Sequence, residues 1–185
     1  MTTMESIESE PKIKIEKAIP EDAVEIGEVL YRTWLATYPN EEFGITVDDV
    51  EDRWKDRNKA DGSRIRNAPD NELLLTAKDG DEIVGICRAV RYPDKNNLQA
   101  IYVLPGHQGQ GIGSKLWEEA LKFFNLEKDI TVEVVEYNSN AIDFYKKLGF
   151  EETDKKLANE RLRMKSGNIL PEIEMVIKAF KNKEV

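Results

Sequence analysis

AIYVLPGHQGQGIGSKLWEEALKFF, residues 100–124, is the stretch whose reading decides the fold. The apolar run Ile101, Tyr102, Val103 and Leu104 is broken by Pro105. It passes through the glycine-rich run Gln108-Gly109-Gln110-Gly111-Ile112-Gly113 and enters an amphipathic segment with Leu116, Trp117, Ala120, Leu121 and Phe124 on one face. That order is strand, loop, helix. A helix N-terminus carries N–H groups without intrahelical partners and the positive end of the peptide dipoles, so such a loop is an anion site. Glycines at 109, 111 and 113 let the chain turn sharply and a phosphate approach without meeting a Cβ, and Ser114 and Lys115 add a hydroxyl and a cation.

Spacing selects among anion-binding loops. The dinucleotide pattern GxGxxG, begun at Gly109 and Gly111, requires glycine where Ser114 stands. A P-loop begun at Gly106 reaches Gly111 and then requires lysine where Ile112 stands; begun at Gly109, it is one residue short at Gly113. The pattern Q/R-x-x-G-x-G/A is met by Gln108, Gly111 and Gly113 directly after a strand. About 25 residues on, Asn138-Ser139-Asn140-Ala141-Ile142-Asp143-Phe144-Tyr145-Lys146-Lys147-Leu148-Gly149-Phe150 reads N-x-x-A-x-x-F-Y…G-F. The two motifs in this order resemble the GCN5-related N-acetyltransferase (GNAT) family, with specific residues in 97–115 and 138–150.

The remaining chain is read around that unit. A length of 185 residues suits one domain, expected over 12–180 with tails at 1–11 and 181–185. With 40 % hydrophobic and 34 % charged residues and no apolar run near the roughly 20 that a membrane helix needs, the composition is that of a soluble globular protein. The opening MTTMESIESEPK shows neither a basic leader nor an apolar core, so no secretory signal is read and the cytoplasm is the expected location. A net charge of -9 argues against nucleic-acid binding and mildly favours a cationic substrate. Cys87 and His107 are single, so neither an intramolecular disulfide nor a metal constellation can be assembled; the apolar surroundings of Cys87 point to a structural thiol.

Alternation at Ile13, Ile15 and Lys17 gives a first strand, and Pro20-Glu21-Asp22 opens a helix with Ala23, Ile26, Val29, Leu30 and Trp34 on its inner face, ending before Pro39. A second helix is expected over 47–58 with Thr46 as its cap, then a polar loop over 61–70. Asp79-Gly80-Asp81-Glu82 joins strands 73–78 and 83–90 in a hairpin, followed by a strand over 98–104. Ile130 to Val135 is the next strand, with Val132 and Val134 inward and Thr131 and Glu133 outward, parallel to 98–104. A short helix over 140–148, a polar connector over 154–168 and a final strand over 169–177 complete the chain. The expected fold is α/β (α+β): a mixed, mostly antiparallel sheet of six to seven strands flanked by about four helices.

The resemblance implies more than the pattern. It implies a parallel central pair of strands that splay apart, acetyl-CoA as co-substrate, and transfer of the acetyl group to a primary amine by direct attack in a ternary complex. The acceptor would be a small amine such as a polyamine, or a peptide or protein amine. It assigns the pyrophosphate to Gln108, Gly109, Gln110, Gly111, Ile112, Gly113 and Ser114, and the pantetheine arm to the main chain of Ile101, Tyr102 and Val103. Asn138 and Asn140 support the cofactor, and Tyr145 is the acid that protonates the leaving thiolate. Trp34 and Tyr38 fall where related enzymes line the acceptor pocket, and the last strands suit a homodimer.

One position departs from the pattern. Asn97 stands where many members carry a glutamate base, leaving the base open among ordered water, Asp94, Glu133 and Glu136, or a low-pKa amine. The same departure admits a non-catalytic acyl-CoA-binding or regulatory module as the alternative.

Overall fold

The computed structural model describes residues 13–179. The tails expected at 1–11 and 181–185, with Lys12 and Phe180, lie outside the described residues. One seven-stranded sheet runs in the order β1-β2-β3-β4-β5-β7-β6, with β1 Lys14–Lys17, β2 Glu72–Asp79, β3 Glu82–Arg91, β4 Asn96–Val103, β5 Ile130–Val135, β6 Glu151–Arg163 and β7 Ile169–Ile177. All neighbours are antiparallel except β4 and β5. The helices are α1 Ala23–Thr37, α2 Val47–Arg53, the one-turn α3 Ser63–Arg66, α4 Ile112–Phe123 and α5 Ser139–Lys147.

Successive side chains of β4 point to opposite faces, and this positions the helices. Ile101 lies toward the start of α4, near Gly113, whereas the Tyr102 hydroxyl meets that of Tyr38, just after α1, at 3.1 Å. The inner row of α1 buries Ile26, Val29, Thr33 and Trp34. In α4, Ile112, Leu116, Trp117 and Ala120 are buried, and Leu116 packs close to Gly85 of β3.

Three local expectations are corrected. The second helix stops at Arg53 rather than continuing to Asn58, with Trp54 leaving helical geometry. Arg57 then turns back onto α1, stacking over Tyr31 at 3.8 Å and donating to Glu28 at 2.7 Å, which a continuous helix would replace with a solvated face. The polar loop over 61–70 contains α3, nucleated after Gly62 in the left-handed region at φ 72°. Thr131 faces inward: it is buried, and its Oγ1 accepts from Asn97 Nδ2 at 3.0 Å.

The largest correction is the connector over 154–168. Most of it is strand β6, whose only partner among the described residues is β7. An edge strand with exposed, charged side chains has no hydrophobic period to betray it.

Candidate active site

β4 and β5 pair as strands only at Asn96↔Ile130 and Asn97↔Thr131 among the described residues and separate beyond that point. A bulge against β3, where Arg88 pairs Ala100 and Ala89 pairs Leu98, bends β4 at Gln99 next to the separation. Asn97 pins the fork: its buried amide donates to Thr131 Oγ1 at 3.0 Å and to Glu133 Oε1 and Oε2 at 3.2 and 3.1 Å. The strands open into a cleft of about 900 Å³ that passes through the sheet, from the glycine-rich loop and α5 on one side to the end of α1, β6 and β7 on the other. A smaller cavity of about 510 Å³ adjoins it, sharing Gln99, Glu133 and Asn159.

At the loop end, Gly109 and Gly111 have φ of 77° and 76°, and a Cβ on either would meet nothing within 4 Å. Open space over two left-handed glycines at a helix start is a cradle for a bulky anion. The N–H groups of residues 109–114 find no carbonyl partner among the described residues; the first closing bond is Lys115 N to Gly111 O at 3.1 Å. These features fit the pyrophosphate of a CoA-type cofactor. Gly113 is glycine for a different reason, since a Cβ there would come within 3.1 Å of Phe144 Cζ in α5. Gln108 turns inward, donating to Val103 O at 2.9 Å, and so ties the loop to the end of β4.

The sequence-predicted residues largely converge. Ile101, Tyr102, Val103, Gln108, Gly109, Gly111, Ile112, Gly113, Ser114, Asn138, Asn140, Tyr145, Trp34 and Tyr38 all line the cleft. Gln110 is not among its lining; its amide donates to Gly106 O at 3.4 Å. The Ile112 side chain is buried, which leaves its main chain for the site. Asn138 caps α5, its Oδ1 accepting from Ala141 N at 3.2 Å. Tyr145 is wedged between Phe144 and Phe150, with ring centroids 5.3 and 5.5 Å away. Burial pushes its phenol well above the ordinary range, opposed by the nearby main chain of Ile101. The phenol therefore stays protonated and available as an acid.

The opposite end is aromatic. Trp34 meets Tyr38 edge-on at 4.8 Å and Trp54 at 5.5 Å, Arg53 lies over the Trp34 ring at 4.9 Å, and the Tyr137 hydroxyl donates to Tyr38 O at 2.7 Å. Burial raises the phenols of Tyr38 and Tyr102. Cys87 is buried, its thiol pushed up to about 12 by burial, consistent with a structural role.

Sequence reading missed Arg53, Arg88, Arg161, Leu162, Leu170 and Glu172 in the lining. Glu172 carried a signal, as one of two carboxylates, with Glu174, inside the apolar strand ILPEIEMVI. Among the bases considered from sequence, Glu133 lines the cleft, Asp94 lines only the smaller cavity, and Glu136 is paired to Lys156 at 3.1 Å.

The family model described as "Acetyltransferase (GNAT) family" matches residues 28–150. The chain belongs to the GNAT family. A peptidyl-lysine N-acetyltransferase, YjaB of Salmonella typhimurium, is 36 % identical over 85 residues, 46 % of this chain and 54 % of its own length. The chain thus spans about half the length of that curated relative. Among solved structures, the PaiA N-acetyltransferase of Thermoplasma acidophilum in complex with coenzyme A superposes with a TM-score of 0.68 at 22 % identity, covering 90 % of this chain and 99 % of that one. YncA of Salmonella typhimurium with its cofactor acetyl-CoA gives 0.58 at 19 %, covering 94 % and 98 %. At such identities these two share the GNAT fold: a mixed seven-stranded sheet with β4 and β5 parallel. No helix among the described residues is long and apolar enough to cross a membrane.

Proposed function

We propose that this GNAT member is an acetyl-CoA-dependent N-acetyltransferase acting on a primary amine, with a peptide lysine ε-amine as the leading acceptor class and a small polyamine as its chemical neighbour. The observation that carries the reading is the through-sheet cleft, which offers an anion cradle and a buried phenol at one mouth and an aromatic, carboxylate-bearing chamber at the other. The lysine preference is supported by the name of the Salmonella relative, which covers 46 % of this chain. The location read from the sequence, the cytoplasm, belongs to the same proposal.

Acetyl-CoA, when bound, supplies an activated thioester. Residues 109–114 and the N-terminus of α4 would hold its pyrophosphate. The separated edges of β4 and β5, at residues 101–103 and 133–135, would pair with its amide-bearing arm, and a main-chain N–H of that strand, that of Val103, would meet the developing oxyanion. A neutral amine arriving from the Trp34 and Tyr38 side attacks the carbonyl carbon; the C–N bond forms, the C–S bond breaks, and Tyr145 gives its proton to the thiolate. The proton still on nitrogen then restores the phenol through water.

The experiment is thiol release from acetyl-CoA by the purified chain against lysine peptides, spermidine, amino acids and aminoglycosides. Release with lysine peptides, with mass spectrometry placing one acetyl group on the ε-nitrogen, is expected. Release confined to another amine class would overturn the acceptor, and no release with any amine would overturn the activity.

A further inference from the structure

Asn97 leaves the reaction without the carboxylate that the family pattern leads one to expect, yet two carboxylates line the cleft, and they are held differently. Glu133 on β5 is fixed, both of its oxygens accepting from the Asn97 amide. Glu172 lies on β7 opposite Val135, on the β5 wall of the separated strands. Its carboxylate makes no hydrogen bond or ion pair with any described residue, although its main chain lies between Val135 of β5 and Leu157 of β6.

The surrounding charges explain why Glu172 stands alone. Arg88 on β3 is taken by Glu72 through two bonds of 2.8 and 2.9 Å. Lys155 on β6 is taken by Glu174 of the same β7 at 3.0 Å, and Lys156 by Glu136 at 3.1 Å. Arg53 from α2 lies over the Trp34 ring and donates to Arg161 O at 3.1 Å. Arg161 on β6 lines the cleft without pairing to Glu172, and the phenols of Tyr38, Tyr102 and Tyr145 face the same space from α1, β4 and α5.

We propose that Glu172 is the general base of the acetyl transfer, accepting a proton from the acceptor ammonium so that the neutral amine can attack. This rests on the N-acetyltransferase reading above. The proton moves from nitrogen to a Glu172 carboxylate oxygen and leaves to bulk water after release of product; Tyr145 serves the sulfur separately. Burial first, and then the charge of Glu133, raise the Glu172 carboxyl to about 7. A base poised there is about half ionised at neutral pH and is a far better proton acceptor than an ordinary carboxylate. Two carboxylates in one cleft thus take different roles because one is hydrogen-bonded and the other desolvated.

The test is the pH dependence of acetyl transfer to a lysine peptide by the full chain and by Glu172→Gln, with acetyl-CoA affinity measured separately by calorimetry. In the unaltered chain kcat/KM should rise with a single midpoint near 7. Glu172→Gln should lower kcat about 100-fold, flatten that limb and leave acetyl-CoA affinity within twofold. Its melting temperature at pH 8 should be unchanged or higher: a carboxyl raised in the fold from 4.5 to about 7 makes stability fall as pH climbs between those values, a cost present in full at pH 8, and Gln removes that burden. A variant that keeps the limb, or one that raises KM for the peptide with kcat unchanged, would overturn the proposal, the latter by reducing Glu172 to a counter-ion. Should the unaltered chain acetylate nothing, the activity reading falls by itself. The carboxyl resonance of Glu172, assigned by its loss in the Gln variant, still decides the base: titration near 7 supports it and titration near 4.5 overturns it.

Discussion

The two mouths of the cleft are built by different means. The loop mouth comes from contiguous sequence: β4, the glycine-rich run and α4 follow one another directly, and α5 joins them through the contact of Phe144 with Gly113. The opposite, aromatic mouth is assembled from distant pieces: Trp34 and Tyr38 at the end of α1, Arg53 of α2, and Arg161, Leu162 and Leu170 of β6 and β7. Asp49 in α2 accepts from Ser166 N at 2.7 Å across 117 residues of sequence, and Asn168 Nδ2 donates to Gly44 O at 2.8 Å. Contiguous sequence builds the loop mouth, whereas the aromatic mouth of this chain depends on long-range contacts that few single residues reveal.

The sharpest way to test the division is Tyr145→Phe, which should lower kcat by about 100-fold or more while leaving acetyl-CoA affinity and peptide KM near their starting values. Stopped-flow or steady-state rates beside calorimetry decide it, and a variant of unchanged rate would remove Tyr145 as the acid.

Next is Asp49→Asn. Burial acts to raise the Asp49 carboxyl, but hydrogen bonds from Thr46 and Ser166 outweigh it and hold the group below its usual range. A carboxyl lowered in the fold contributes stability that is present above its unfolded value, near 4, and is lost as pH falls through its folded value. The variant should lose about 2 kcal/mol at pH 7 and show a weaker dependence of melting temperature on pH below 4, with peptide KM raised and acetyl-CoA affinity unchanged. A variant with full stability would break the claim that α2 is held by this link.

Gly111→Ala tests the other mouth. Left-handed backbone costs a non-glycine residue about 1–2 kcal/mol, so the loop should relax and acetyl-CoA affinity fall about tenfold. Gly80→Ala is the matched control, with φ 61° and open space at the β2–β3 turn; it should lower the melting temperature by a few degrees and leave the affinity alone. The smallest effect is expected from Tyr38→Phe, which removes the 3.1 Å contact to Tyr102 and should raise peptide KM about threefold with no change toward acetyl-CoA.

How far the sequence was legible follows the same division. The strand-loop-helix unit, the Asp-Gly hairpin and the helix carrying Tyr145 are each set by local periodicity and turn chemistry, and each lies within a few residues of its expected bounds, whereas the parallel pairing of β4 with β5 followed from the family resemblance. Strand β6 escaped because an exposed edge has no apolar alternation. The early end of α2 escaped because the stacking of Arg57 on Tyr31 and its pairing with Glu28 are tertiary contacts. Within the site, Gln108 and Asn138 were found as positions, but their directions were not: one side chain ties down β4 and the other caps α5. Glu172 was missed because its environment comes from β5 and β6 rather than from its own neighbours in the chain.

The most direct measurement is a titration of the isotope-labelled chain with acetyl-CoA, followed by backbone amide NMR. Large shifts, saturating together, are expected at Val103 and at residues 109–114, with little change at Arg53, Arg161 and Leu170. Saturation that leaves residues 109–114 still while moving Arg53 and Arg161 would contradict the loop's role as the anion cradle.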